Sequence, residues 1–177
     1  MFLISGCLLG YNCKYNGGNN RCSAARAFAK TESCFAVCPE TAGGLPVPRV
    51  PAERRDGRVF DKDGQDVTYA FVRGSRESML LSEKEAEHRG EQIEGAVLKA
   101  RSPSCGCGEI YDGTFSGKTT AGNGVFTEML MAKGIPVFTE ETLSFLLAER
   151  DAAESSRDGK PAVPKDGMDG KSAKSEE

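Results

Sequence analysis

The sequence predicts an α/β domain of three layers, in which helices cover both faces of a mostly parallel sheet. Three observations lead there. Short apolar runs of four to six residues recur along the chain, helical patterns lie between them, and glycine or polar turn residues punctuate the joins. Strands that alternate with helices close into a parallel sheet buried on both sides.

The elements follow in order. "FLIS" (2–5) is the first strand, a wholly apolar start with a serine at its end. "NRCSAARAFAKT" (20–31) carries an alanine-rich face and reads as a helix. "CFAVC" (34–38) is the second strand. "DVTYAFVRGSRESMLLSEKEAEH" (66–88) is a long helix with Asp66 as its N-cap. "GAVLKA" (95–100) is the third strand. Gly113 and Gly117 in "EIYDGTFSG" suggest a hairpin-like loop. "GNGVFTEMLMAKG" (122–134) is a helix that Gly134 stops. "IPVFT" (135–139) is the fourth strand, and "EETLSFLLAER" (140–150) closes the domain with a helix. After Arg150 the composition turns to Lys, Glu, Asp, Ser, Gly and Pro, with too little apolar surface to offset the entropy of ordering. The expectation is one domain over 1–150 and a disordered tail over 151–177.

Composition narrows the function. The 177 residues suffice for a real core. Net charge is −3, and no block of like charge marks a surface for nucleic acid. No stretch approaches the roughly 18 apolar residues of a membrane span, and the start lacks the pattern of a secretory signal. The chain is expected to be cytoplasmic, with neither nucleic acid nor membrane as partner. Its seven cysteines are then unsuited to a disulfide framework: the count is odd and the compartment reducing.

Three of the cysteines stand just beyond predicted strands. Cys7 follows the first, Cys38 ends the second, and Cys105 follows the third in "RSPSCGCGEIYDG". Ligands of parallel α/β sheets bind outside the carboxyl ends of the strands, so these thiols are expected to converge there. Structural zinc takes four protein ligands, which Cys13 or Cys107 could complete. The single histidine, His88, sits in a charged helical stretch. An iron–sulfur cluster is the other candidate, since thiolates bind its irons. With three protein ligands, one iron of a four-iron cluster stays open as a Lewis acid, a reason for the nearby carboxylate of "CPE". "GNGV" before its helix resembles an anion cradle but lacks the full glycine pattern, so no nucleotide cofactor is expected.

The blocks "CLLGYNCKYNGG", "VCPETAGGLPVPRVPAE", "GQDVT", "LKARSPSCGCGEIYDGTFSG" and "GNGVFTEML" together resemble the thiouracil desulfurase family, over about residues 1–148. The resemblance implies a Rossmann-like fold and a 4Fe-4S cluster held by Cys7, Cys38 and Cys105, with the other four cysteines outside the ligand set. It implies that the open iron takes sulfur from a thiolated nucleobase without net redox, so that the partner is a small thiolated base. Glu40 and Ser102 are the implied catalytic residues, and our own expectation is that Glu40 acts as the base that activates water. Lys14 and Asn16 depart from the commoner Arg and Asp of that loop. Tyr15, Asn16, Arg49, Lys99, Tyr111 and Asp112 are the expected substrate-binding residues. Two other readings stay open: a non-catalytic module with a structural zinc or cluster, and a sulfur-transfer or thiol-redox enzyme that uses a cysteine as nucleophile.

Overall fold

The computed structural model describes residues 1–148 and 150; the expected tail over 151–177 lies outside them. A parallel sheet of four strands forms the centre, in the order β2-β1-β5-β8. These strands are β1 (Phe2–Ser5), β2 (Cys34–Val37), β5 (Gly95–Leu98) and β8 (Val137–Thr139). Between them in sequence lie α1 (Gly6–Leu9), α2 (Ser23–Thr31), α3 (Pro39–Ala42), α4 (Thr68–Arg89) and α5 (Val125–Ala132). Two antiparallel hairpins complete the fold, β3 (Ala52–Arg55) with β4 (Arg58–Asp61), and β6 (Glu109–Tyr111) with β7 (Thr119–Ala121).

The four apolar runs all become strands of this sheet: β1 matches its run, and the other three are shorter than theirs at one end. β1 and β5 are buried along their whole length, as central strands covered on both faces must be. Alternate residues divide between two cores, because successive side chains of a strand point to opposite faces. Leu3, Ala96 and Leu98 pack with Met79, Phe126 and Leu130, from α4 and α5. Phe2, Ile4 and Val97 pack with Leu8, Ala25 and Phe28 from α1 and α2, and with Leu143 and Leu146 of a last helical segment. These are the three layers.

The predicted helices form with shifted ends. Val67, not Asp66, occupies the cap of α4. Asp66 still serves the first turn, its Oδ1 accepting the Thr68 N–H at 3.0 Å. The hairpin β3–β4 turns on Asp56 and Gly57, both at positive φ (52° and 75°). That is the backbone of a tight two-residue turn, for which Asp-Gly is suited.

Two close approaches position the cavity described next. α3 lies so near α4 that a Cβ at Gly74 would overlap the Pro39 carbonyl oxygen, and one at Gly43 that of Ala70. The N–H groups that open α5 are spent on the chain rather than on an anion. Val125 donates to the Pro103 carbonyl (3.0 Å) and Phe126 to that of Ser104 (2.9 Å).

Candidate active site

The chain runs from β1 outward to β2 and then back past β1 to β5, so its direction reverses between β1 and β5. Open α/β sheets bind ligands at such a switch point, beyond the carboxyl ends of the strands. A cavity of about 410 Å³ lies there, in the range of small-molecule sites. Its floor carries Cys7, Cys38 and Cys105, from three separate strand ends. Cys7 lies in the short turn of α1 directly after β1, and Cys38 is the residue between β2 and α3. Cys105 sits in the loop that α5 pins from behind, where Thr127 Oγ1 also donates to the Cys105 carbonyl (2.9 Å).

Cys13 lines the same cavity. Its thiol hydrogen-bonds with both Cys7 and Cys38, which keeps Cys13 protonated and raises its pKa. The same bonds act in reverse on their partners. The Cys38 thiol falls to about 6, led by the bond with Cys13 against the cost of burial and helped by Thr41. Cys7 is lowered too, by Cys13 first and by Asn20, whose Nδ2 lies 3.6 Å from its sulfur. Cys105 is pushed up to about 12, because burial outweighs the hydroxyls of Ser5 and Ser104. Each of the three sulfurs thus has at least one side-chain donor in reach. Among the described residues, no three Cys, His, Asp or Glu side chains form a cage for a single metal ion. Cys107 does not line the cavity; its thiol faces the Val137 carbonyl. His88 is exposed near the end of α4.

The carboxylate of Glu40 reaches the cavity from the first turn of α3. Pro39, the first helical residue, starts that turn at no cost in lost hydrogen bonds. Arg49 holds Glu40 from one side, with Nε donating to Oε2 at 2.9 Å and Nη2 at 2.8 Å from the same oxygen. Nη2 also donates to the Cys13 carbonyl (2.9 Å), so one guanidinium ties the carboxylate to the thiol loop. From the other side, Ser104 donates to Glu40 Oε1 at 2.9 Å. Ser104 and Ser102 hydroxyls are 2.9 Å apart. A hydroxyl has one proton, so with Ser104 committed to Glu40, Ser102 is the donor of that pair. Ser102 Oγ in turn accepts from the backbone N–H groups of Ser104 and Cys105, each at 3.2 Å. The result is a hydroxyl chain, Ser102 to Ser104 to Glu40, of which Ser104 was not foreseen.

The other expected contacts divide. Tyr15, Arg49, Lys99 and Tyr111 line the cavity. Lys99 is paired there with Glu140 and with the Ala100 carbonyl. Asn16 and Asp112 do not line it. Asn16 folds back on its own loop, where Oδ1 accepts the Gly18 N–H (3.1 Å). Asp112 Oδ1 accepts from Thr114 N–H (3.0 Å) and Oγ1 (2.6 Å), which turns it into its hairpin. Both are short polar side chains next to a glycine turn, and local backbone bonds win over the cavity.

Known proteins share this chain's sequence and fold. An uncharacterized protein of Bacillus subtilis (strain 168), YbbK, is 33% identical over 157 residues, covering 83% of this chain and 100% of the relative. A solved structure of TudS, described as a [4Fe-4S]-dependent thiouracil desulfidase, superposes with a TM-score of 0.73 at 39% identity. It covers 85% of this chain and 97% of that one. The sequence profile of the 2-thiouracil desulfurase family matches residues 2–142. The chain belongs to the 2-thiouracil desulfurase family.

Proposed function

We propose that the chain is a 4Fe-4S-dependent desulfurase that cleaves the C–S bond of a thiolated nucleobase such as 2-thiouracil, without net redox, and releases sulfide. The observation that carries this reading is one cavity holding three thiols from three strand ends beside a carboxylate fed by a hydroxyl chain. The residues suit the group. The three donors are all sulfur, the ligand type of iron–sulfur clusters, and they do not close around one ion. Cys7, Cys38 and Cys105 would hold the cluster, which when bound supplies an iron open to a sulfur ligand and acting as a Lewis acid.

The protein supplies the proton chemistry. Replacement of sulfur by oxygen is a hydrolysis: water oxygen becomes the new carbonyl oxygen, and sulfur leaves as hydrogen sulfide with the two water protons. No electron is gained or lost. Glu40 takes a proton from the attacking water and returns it as the C–S bond breaks. Arg49 fixes that carboxylate in place, and it occupies Oε2, so Oε1 is the working oxygen. Ser102 and Ser104 orient the water and carry a proton along their shared bond. Tyr15 and Tyr111 are the aromatic surfaces against which a planar base can lie.

The reading takes a small thiolated base as partner rather than nucleic acid or membrane. No helix of the described residues is long and apolar enough to cross a membrane. Free thiols suit a reducing compartment, so the proposed location is the cytoplasm. Anaerobic reconstitution with iron and sulfide, followed by sulfide release from a panel of thiolated bases, tests the reaction. Sulfide from 2-thiouracil in proportion to bound iron supports it. Release that survives removal of iron would transfer the chemistry to a cysteine nucleophile.

A further inference from the structure

The segment "VPRVPAER" supplies a second carboxylate to the cavity, that of Glu53 on β3. Glu53 is 9% exposed. Its Oε2 accepts two backbone N–H groups of the β6–β7 loop, Gly113 and Phe115, each at 3.0 Å. Both bonds fall on the same oxygen. Among the described residues Oε1 takes no hydrogen bond, and no cation pairs with Glu53. Glu40, the other carboxylate of the cavity, has Arg49. Nor is Oε1 sealed in the protein, because no buried side-chain polar atom of the described residues lacks a partner. An unpartnered, accessible oxygen on a cavity-lining carboxylate whose orientation is fixed by two other bonds is an acceptor open to a donor.

A thiolated pyrimidine of the uracil type offers donors of the right kind, its two ring N–H groups. Resting on the desulfurase reading above, we propose that Glu53 is a specificity-determining residue whose Oε1 accepts a ring N–H of the substrate. It touches the ring and takes no part in proton transfer to water. Holding the loop needs only Oε2, so the two duties of the side chain are separable.

Glu53→Gln separates them. The two backbone N–H groups demand an acceptor at the Oε2 position, which the amide oxygen fills. The NH2 then occupies the place of Oε1 and presents a donor to a donor. The loop stays held while the recognition inverts. The probe is uracil, with 1-methyluracil and 3-methyluracil, titrated by calorimetry under argon into the iron-loaded protein. Parent protein is expected to bind one of the methyl derivatives about 10- to 100-fold more weakly than uracil, the range for a hydrogen bond to a charged group. Glu53→Gln is expected to bind uracil weaker by the same range, to lose the discrimination against that derivative, and to melt at the parent temperature. Uracil bound at parent affinity by the variant overturns the proposal and leaves Glu53 a loop anchor. If the variant fails to fold, the parent alone decides: equal binding of uracil and both derivatives, or no binding of uracil, overturns it. Uracil has no sulfur, so the outcome stands apart from the reaction. Discrimination without any sulfide release from 2-thiouracil would break the desulfurase reading and keep this one.

Discussion

The floor and the wall of the cavity are built by different means. The floor takes its thiols from the ends of β1, β2 and β5, and these strands lie in an apolar core that helices cover on both faces. The wall is two small hairpins with little core of their own. Polar bonds hold it: Glu53 grips the β6–β7 loop, and Arg54 binds the Asn123 carbonyl and Glu128 at the start of α5. The difference teaches that the part carrying the thiols is set by hydrophobic packing, and the part carrying Glu53 is set by directed hydrogen bonds. The first is placed by many apolar contacts at once. The second is specific and depends on single residues.

Attacking the floor should give the largest effects. Replacing Cys7, Cys38 or Cys105 by Ser is expected to abolish iron binding after reconstitution, while Cys22→Ser and Cys34→Ser keep it; iron and sulfide analysis decides. Equal loss in all five would remove the ligand assignment. Next comes the carboxylate beside the floor, which Arg49 and Ser104 hold. Glu40→Gln is expected to keep iron and lose sulfide release by about 10²-fold or more at matched iron content, the scale of a lost acid–base group. A near-parent rate would shift the role to the serines.

Loosening the wall should cost less. Arg54→Ala removes the guanidinium that ties β3 to α5 and is expected to destabilise by about 1–3 kcal/mol, read as a drop of a few degrees in Tm with the iron content kept. Loss of iron in this variant would show that floor and wall are not separate. Within the floor, pH should distinguish the thiols of iron-free protein. Cys38, lowered to about 6 by the bond from Cys13, is thiolate at pH 7 and protonates as pH falls below 6. Cys105, raised to about 12 by burial, is a thiol throughout. Iodoacetamide at pH 7 should therefore label Cys38 before Cys105, and the preference should fade toward pH 5, as peptide mass spectrometry reports. The smallest effect is expected from ending the chain after Arg150, with fold, iron content and activity retained.

How much of this the sequence carries follows the same division. The four strands of the sheet are legible because a fully buried parallel strand is a plain apolar run, as in "FLIS" and "GAVL". The strands of the wall are "AERR" and "TTA", polar and partly exposed, and they have no such pattern. Only Asp56-Gly57 marked the first of them, a turn signal that goes unnoticed between charged residues. At the site, the positions of Cys7, Cys38 and Cys105 after strands follow from the fold. Cys13, Ser104 and Glu53 do not. Their roles come from contacts between residues far apart in sequence, such as Ser104 with Glu40, which no local periodicity encodes. Asn16 and Asp112 fail for the opposite reason: short polar side chains beside glycines are captured by their own turns.

The glycine crossing of α3 and α4 reaches beyond packing. With Gly43 and Gly74 facing the backbone of the other helix, the two meet backbone to backbone at the crossing, and Arg73 ties it further by donating to the Gly43 carbonyl. Glu40 is therefore surveyed from α4, a rod of 22 residues whose outer side, at Tyr69 and Leu80, faces solvent. A load on that rod arrives at the carboxylate undamped. Selection on Glu40 should then extend to residues of α4 that never meet the substrate, and any bulk added at the crossing would be felt first as a misaimed proton, before it is felt as a weaker fold.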